Sequence, residues 1–169
     1  MAKDGISRRH FLYGSLLAGV IPAGGFGSVP SLKALGFKSY NDRLNIAAIG
    51  AGGRGAQNIR GCASENIVAL CDVDPNRAAR TYSQYEKAAK YTDFRRMLDA
   101  EGDNIDAVII TTPDHMHTTC ALWCMERGKA VYVEKPLTRT PWEARVLTEA
   151  AAKYEVPTQM GNQGYSHEA

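Results

Sequence analysis

Short apolar runs alternate with amphipathic stretches from about residue 44 onward. The runs hold four to six residues, a length typical of strands buried on both faces of a parallel sheet. The predicted strands span residues 44–49, 66–71, 105–110, 130–133 and 156–160. The stretches between them place apolar residues three and four apart, as in helices that cover a sheet. The predicted helices span residues 56–62, 75–89, 94–100 and 114–127, with one more beginning at 140–141.

Residues with known helix-end preferences support these boundaries. Pro75 occupies a first helical turn, where its missing N–H costs nothing. Thr92 or Asp93 is predicted to cap the helix that follows, Asp114 to cap the next, and Gly128 to close it. Strands alternating with helices at this spacing imply right-handed crossovers. The sequence therefore predicts an α/β fold with a doubly wound parallel sheet.

Unusual polar and glycine-rich segments follow the predicted strands. In a doubly wound sheet the ligand binds at the carboxyl ends of the strands, beside the point where the strand order reverses. The segments at those ends are Gly50–Gly55, Asp72, Thr111–His117, Glu134–Pro136 and Gly161–Gln163. This placement predicts one ligand site along a single edge of the sheet.

The segment after the first strand fits the pattern G-x-G-x-x-G, with glycines at 50, 52 and 55. Gly50 permits a tight turn, Gly52 lets the backbone approach a pyrophosphate, and Gly55 lets helix and strand pack closely. The helix that follows directs its N-terminal N–H groups at the negative charge. Asp72 lies about twenty residues on, as the dinucleotide-binding fingerprint requires.

Asp72 is predicted to accept hydrogen bonds from the adenosine ribose hydroxyls. A carboxylate in that place repels a 2′-phosphate, so NAD is the predicted cofactor and NADP is disfavoured. Arg54 and Arg77 lie near enough in the sequence to leave this preference open.

The tripeptide Glu134-Lys135-Pro136 ends the fourth long strand. Pro136 restricts Lys135 to an extended backbone and so sets the direction of its amine. A lysine beside the nicotinamide can orient a substrate hydroxyl and support proton transfer while a hydride leaves carbon. A surface lysine beside a turn proline is the alternative interpretation.

Two histidines follow Thr111-Thr112-Pro113. His115 and His117 are two residues apart, so at a helix start they point in different directions and make a poor metal pair. No metal site is predicted. His117 is expected near the nicotinamide ribose or in a hydrogen-bond network, with a catalytic and a structural role both open.

Composition and net charge give no indication of nucleic-acid, anionic-membrane or zinc binding. The formal net charge of +2 gives no reason to expect nucleic acid or an anionic membrane as a partner. The four cysteines lack zinc-like pairs and are predicted to be small buried hydrophobes.

Residues 1–42 differ from the rest of the chain. Arg8 and Arg9 precede Phe11-Leu12 and a short apolar stretch with small residues, which resembles a twin-arginine export signal. The stretch is too short for a stable membrane span. These residues are therefore predicted to be an export signal and linker, and the protein to be periplasmic. The dinucleotide-binding domain is predicted to span residues 43–169.

The chain resembles the glucose–fructose oxidoreductase/inositol dehydrogenase/rhizopine-catabolism (Gfo/Idh/MocA) family in residues 49–55, 112–117, 128–137 and 160–164. The resemblance implies a Rossmann domain that binds NAD(P), and a catalytic or substrate-orienting Lys135. It also places Asn162 and Gln163 near the nicotinamide. The predicted catalytic residues are Lys135 and His117. The residues predicted to bind the cofactor are Gly50, Gly52, Gly53, Arg54, Gly55, Asp72, Thr111, Thr112, Pro113, His117, Glu134, Lys135, Asn162 and Gln163.

The resemblance further implies a C-terminal α/β domain that holds a sugar or polyol, and that carries an additional aspartate and histidine. We expect this chain to lack that domain, and the full-length protein to be a homo-oligomer. The expected function is hydride transfer between nicotinamide and a sugar or polyol. Two alternatives remain: a glycoside hydrolase that uses bound NAD for transient oxidation, and a non-enzymatic NAD-binding module.

Overall fold

A computed structural model describes residues 43–162 of the chain. Six parallel strands form one sheet: β1 (Asn45–Ile49), β2 (Asn66–Cys71), β3 (Ala89–Tyr91), β4 (Ala107–Ile110), β5 (Ala130–Glu134) and β6 (Thr158–Gly161). Their order across the sheet is β3-β2-β1-β4-β5-β6. The chain therefore winds outward from β1 in both directions, and the predicted doubly wound parallel fold is confirmed.

Five helices connect these strands: α1 (Arg54–Gly61), α2 (Pro75–Gln84), α3 (Phe94–Glu101), α4 (Asp114–Glu126) and α5 (Pro141–Tyr154). A 3₁₀ turn, Gly102–Asn104, leads from α3 into β4.

Two apolar clusters form the core, one on each face of the sheet. On one face, side chains of α3, α4 and α5, such as Met97, Cys124 and Leu147, pack against the strands. On the other, Ile59 of α1 and Ala78 of α2 pack against β1 and β2. Burying a side chain as large as Ile59 stabilises the fold by about 1.5–3 kcal/mol. Short apolar strands and helices with one apolar face thus account for the three layers, a sheet between two sets of helices.

Side-chain caps set several helix starts. The Asp93 carboxylate accepts a hydrogen bond from the Arg95 N–H at the start of α3. At the start of α5, Thr140 and Glu143 form a reciprocal capping box, which satisfies N–H groups that have no partner within the helix. Gly128 follows α4 with a φ of 69° and closes it as predicted.

Two predicted details were wrong. The helix predicted to reach residue 89 ends at Gln84, and Ala89–Tyr91 instead forms the edge strand β3. This run is too short and polar to stand out, and it becomes a strand by pairing with β2. Asp114 does not cap α4, because Pro113 occupies the cap position and Asp114 is the first helical residue.

The predicted export signal and linker, residues 1–42, and Gln163 lie outside the described residues. Among residues 43–162, no helix is long and apolar enough to cross a membrane.

Candidate functional site

Strand order brings the predicted site segments to one edge of the sheet. β1 lies between β2 and β4, and β4 pairs with β5. Because parallel strands end at the same edge, the loop after β1 lies between Asp72 and Thr111, and Lys135 follows one strand further along. The site therefore extends over the carboxyl ends of four neighbouring strands.

The glycine loop is held tightly against the strand ends. The Gly50 N–H donates to the Cys71 carbonyl oxygen at 2.8 Å, and Gly50 has a φ of 87°. A Cβ on Gly50 would overlap the Thr111 carbonyl oxygen, and one on Gly55 would overlap the Gly50 carbonyl oxygen. Only residues without a side chain allow this close approach.

Helix α2 supports the loop from the other side. The buried Thr81 hydroxyl donates to the Ala51 carbonyl oxygen at 2.8 Å. The exposed Arg77 side chain lies over the loop, since a Cβ on Gly52 would come 2.8 Å from its Cγ. A Cβ on Gly53 would come 3.1 Å from a terminal nitrogen of the Arg77 guanidinium. Arg77 therefore places a positive charge beside the glycine loop.

Asp72 is fixed at the end of β2 by two backbone N–H groups. One carboxylate oxygen accepts from the Gly52 N–H at 2.8 Å, and the other accepts from the Asp74 N–H at 3.0 Å. A carboxylate offers about four lone-pair positions, so both oxygens can accept further bonds. Burial, with the neighbouring Asp72 charge, raises the pKa of the Cys71 thiol to about 12.

These residues fit a dinucleotide. The glycines at 50, 52, 53 and 55 let the loop pack closely against Thr111 and Arg77, and the N-terminus of α1 follows the loop directly. Backbone N–H groups at a helix N-terminus bind phosphate groups. Gly50, Gly52, Gly53 and Gly55 could hold a pyrophosphate, and Asp72 two ribose hydroxyls.

Glu134 connects α1 to the end of β5. Its side chain is buried, and one carboxylate oxygen accepts a hydrogen bond from the Asn58 amide at 2.8 Å. The same amide is 3.2 Å from the Thr111 hydroxyl oxygen. The Arg54 guanidinium lies 3.6 Å from that carboxylate oxygen and is partly exposed. Charge and hydrogen bonds thus tie the helix after the glycine loop to the strand that precedes Lys135.

Lys135 itself is exposed at this edge. Within the part of the chain that the structure describes, its ammonium group makes no hydrogen bond or ion pair. Glu134, the last residue of β5, is buried, whereas Lys135, the residue that follows the strand, is exposed.

His117 lies in the first turns of α4 and is buried, with 1% of its surface exposed. Its Nδ1 is 2.7 Å from the Pro136 carbonyl oxygen, and its Nε2 is 2.8 Å from the Thr112 carbonyl oxygen. The ring therefore connects the loops that follow β4 and β5.

The remaining predicted residues occupy the same edge. The Thr111 N–H donates to the Ile49 carbonyl oxygen, and Pro113 begins the cap of α4. Asn162 follows β6 and is exposed. Glu134 pairs with Gly161 between β5 and β6, which places Asn162 one strand away from Lys135.

Asn58 and Thr81 were missed by the sequence analysis. Thr81 shares a buried helix face with Ala78, so a polar residue on an apolar stripe was the available signal. Asn58 offered no comparable signal, because its partners lie 53 and 76 residues away. Among residues 43–162, no cluster of three His, Cys, Asp or Glu side chains could hold a metal ion.

Comparisons with known proteins agree with this geometry. The sequence profile of the Gfo/Idh/MocA family, described as an oxidoreductase family with an NAD-binding Rossmann fold, matches residues 44–162. A glycosyl hydrolase family 109 protein of Solibacter usitatus is 30% identical over 96% of this chain and 41% of its own length. Inositol 2-dehydrogenase 1 of Saccharopolyspora erythraea is 32% identical over 70% of this chain and 36% of its own length.

A solved structure gives the same result. The myo-inositol 2-dehydrogenase of Lactobacillus plantarum superposes with a TM-score of 0.69 and 26% sequence identity, covering 75% of this chain and 38% of that protein. The chain thus spans about two fifths of the length of these relatives. One edge of the sheet carries the glycine loop, the acidic strand end and the lysine, and the family profile matches residues 44–162. The chain therefore belongs to the Gfo/Idh/MocA oxidoreductase family.

Proposed function

We propose that this chain is the NAD-binding part of a dehydrogenase that transfers hydride between nicotinamide and a CH–OH group of a sugar or polyol. The observation that carries the proposal is the shared edge: the open glycine loop, Asp72 and Lys135 lie at the ends of neighbouring strands. The similarity to inositol 2-dehydrogenases supports the substrate class.

NAD rather than NADP is the cofactor in this proposal. The Asp72 carboxylate is aimed at the loop by the Gly52 and Asp74 N–H groups, and its charge would repel a 2′-phosphate. The exposed Arg77 guanidinium lies over the same loop, so NADP binding is expected to be weaker rather than absent.

Bound NAD would supply a nicotinamide ring that accepts or gives a hydride. Gly50, Gly52 and Gly53 would hold the dinucleotide by backbone contacts, with Arg54 adding a positive charge beside its phosphates. The Lys135 ammonium would donate a hydrogen bond to the reacting substrate oxygen and assist its proton transfer. Glu134, held by Asn58, would keep the end of β5 in place during this step.

A hydrolase that oxidises its substrate transiently is the second candidate, because the family 109 glycosyl hydrolase aligns over 96% of this chain. The same residues would serve it, since transient oxidation also needs a hydride acceptor and a group that assists transfer of the hydroxyl proton. The two candidates differ in net chemistry: only the dehydrogenase accumulates NADH.

The test uses the longest natural reading frame that contains residues 1–169. The purified protein is titrated with NAD and NADP, and then incubated with NAD and a panel of sugars and polyols, and with nitrophenyl glycosides. NADH formation with a free sugar or polyol would support the dehydrogenase. Nitrophenol release without net NADH would favour the hydrolase, and NAD binding without either reaction would favour a binding module. A protein that binds no dinucleotide would contradict the proposal.

We also propose that residues 1–42 direct export of the folded protein to the periplasm. Their support is the pair Arg8-Arg9 ahead of Phe11-Leu12 and a short apolar stretch. Replacing both arginines by lysine should retain the protein in the cytoplasmic fraction, and unchanged periplasmic delivery would contradict this route. Size-exclusion chromatography with light scattering on the same preparation tests the proposed homo-oligomer.

A further inference from the structure

Within residues 43–162, both hydrogen bonds of the His117 ring are to backbone carbonyl oxygens. Its Nδ1 is 2.7 Å from the Pro136 carbonyl oxygen, and its Nε2 is 2.8 Å from the Thr112 carbonyl oxygen. Both distances are those of good N–H···O hydrogen bonds. A backbone carbonyl oxygen can only accept, so each ring nitrogen needs its own proton to make its bond.

A neutral imidazole cannot satisfy both carbonyls. It carries one N–H, and its other nitrogen presents a lone pair, which would face a carbonyl lone pair at less than 3 Å. The doubly protonated ring donates in both directions. The structure therefore favours a buried imidazolium at His117.

Burial and neighbouring charges determine whether the His117 ring can carry a positive charge. Burial and the positive N-terminal end of α4 disfavour it, whereas Asp114 in the first turn of the same helix favours it. Glu134 ends β5 and Lys135 follows it, so this neighbouring strand end carries one charge of each sign. The two hydrogen bonds that the charged ring donates offset its loss of hydration, because bonds from a charged donor are the stronger ones.

The two carbonyls belong to segments that the site depends on. Thr112 follows β4, and Pro136 follows Lys135 directly in the chain. Holding the Pro136 carbonyl fixes the backbone one residue beyond the lysine. Holding the Thr112 carbonyl fixes the loop at the adjacent strand end. One side chain thereby sets the position of Lys135 relative to the neighbouring loop.

We propose that His117, protonated on both ring nitrogens, is a positioning residue that fixes Lys135 by joining the Thr112 and Pro136 carbonyls. Neither nitrogen is free for a substrate in this arrangement, so the ring acts through the lysine rather than in proton transfer. The positioning role of His117 rests on the proposed function of Lys135. The protonation state of its ring is independent of that function.

The first test is nitrogen-15 NMR of the histidine rings in the 169-residue chain at neutral pH. His117→Gln identifies the His117 signals, and His115→Gln, which removes an exposed ring two residues away, is the matched control. We expect both His117 nitrogens to show the shifts and couplings of protonated nitrogens. A single protonated nitrogen in the wild-type chain would overturn the proposal, whether or not the variants fold.

The second test separates positioning from a purely structural role. In the longest natural reading frame, His117→Gln should lower kcat by about 10–100-fold, as expected for a misplaced catalytic group. Its Kd for NAD should change less than about threefold, because the glycine loop and Asp72 are untouched. Thr119→Ala, at an exposed position of the same helix outside the site segment, should change neither value.

A folded His117→Gln enzyme with normal kcat would overturn the positioning role, as would a loss of NAD affinity with kcat intact. A Lys135→Ala enzyme with normal kcat would instead refute the proposed function. In that case the NMR result still decides the state of the ring, so the two failures can be told apart.

Discussion

Two regions of the site edge are built in different ways. The first, here the loop region, comprises residues 50–55 and Asp72, and glycines without a Cβ allow its close backbone packing. The second, the lysine region, comprises residues 111–117 and 134–136, and side chains fix it: His117 through two carbonyls and Glu134 through Asn58. We therefore expect the loop region to lose NAD affinity when atoms are added to a glycine. We expect the lysine region to lose turnover when a functional group is removed.

The largest expected effect is loss of the amine in the lysine region. Lys135→Ala should lower kcat of the longest natural reading frame by about 10²–10⁴-fold, the usual range for general acid–base assistance. NAD affinity should change less than about threefold, and Lys135→Arg should rescue poorly because a guanidinium neither titrates nor fits the same compact place. Steady-state rates and NAD titrations measure both quantities.

Lys153→Ala, at the exposed end of α5, is the matched control and should leave both values unchanged. A Lys135→Ala enzyme with normal kcat would return this lysine to the surface-turn interpretation. Loss of NAD binding with intact turnover would make it a cofactor contact.

Adding one methyl group to the loop region is expected to have the next largest effect. In Gly55→Ala the new Cβ would overlap the Gly50 carbonyl oxygen, so the loop must shift. Losing one charge-assisted contact to the pyrophosphate costs about 1.5–3 kcal/mol, which corresponds to about 10–100-fold weaker NAD binding by calorimetry.

Gly61→Ala is the control for this effect, because a Cβ at Gly61 meets nothing within 4 Å. It should bind NAD normally and change the free energy of unfolding by less than about 0.5 kcal/mol, as expected for an exposed position at a helix end. Equal NAD affinity of the Gly55→Ala and Gly61→Ala proteins would refute the account of the loop region.

Removing the charge at Asp72 should have a smaller effect on the loop region. Asp72→Asn loses the full charge that binds ribose hydroxyls, which should weaken NAD binding by about tenfold, or about 1.4 kcal/mol. NADP binding should improve or stay the same, because the repulsion of a 2′-phosphate is removed. Parallel titrations with both dinucleotides test this, with Asp103→Asn at the opposite edge as the control. A stronger preference for NAD in the variant would contradict the role of Asp72.

The smallest effect on ligand binding is expected where the two regions meet. Asn58→Leu leaves the buried Glu134 carboxylate and the Thr111 hydroxyl without their amide donor. This should lower the free energy of unfolding by about 1–3 kcal/mol in urea, with little change in NAD affinity. Arg60→Ala, at an exposed position of the same helix, should have a free energy of unfolding within about 0.5 kcal/mol of the wild-type value. An Asn58→Leu protein as stable as wild type would show that this connection contributes little.

The two regions also differ in how far the sequence predicts them. The loop region depends on local rules, because each glycine is needed for a backbone approach within a few residues of chain, and its spacing to Asp72 follows a fixed strand length. The layers of the fold follow from similarly local apolar patterns. The predicted sheet and its helical layers are confirmed.

The lysine region depends on contacts that no local pattern encodes. Asn58 and Glu134 are 76 residues apart, and only the pairing of β1 with β4 and of β4 with β5 brings them together. The same is true of His117 and Pro136, 19 residues apart, whose contact involves a backbone carbonyl and leaves no sequence signature. Strand β3 was missed for a related reason, since three residues become a strand only beside β2.

In the proposed function, a dinucleotide lies across the carboxyl edge of the sheet, over both regions. Backbone amide hydrogen exchange of the 169-residue chain, measured with and without saturating NAD, tests this placement. We expect NAD to slow exchange in residues 50–56, 72–78 and 111–117, and to leave the amino ends of β1, β2 and β4 unchanged. Unaltered exchange in residues 50–56 and 72–78, or protection confined to the opposite edge, would contradict it.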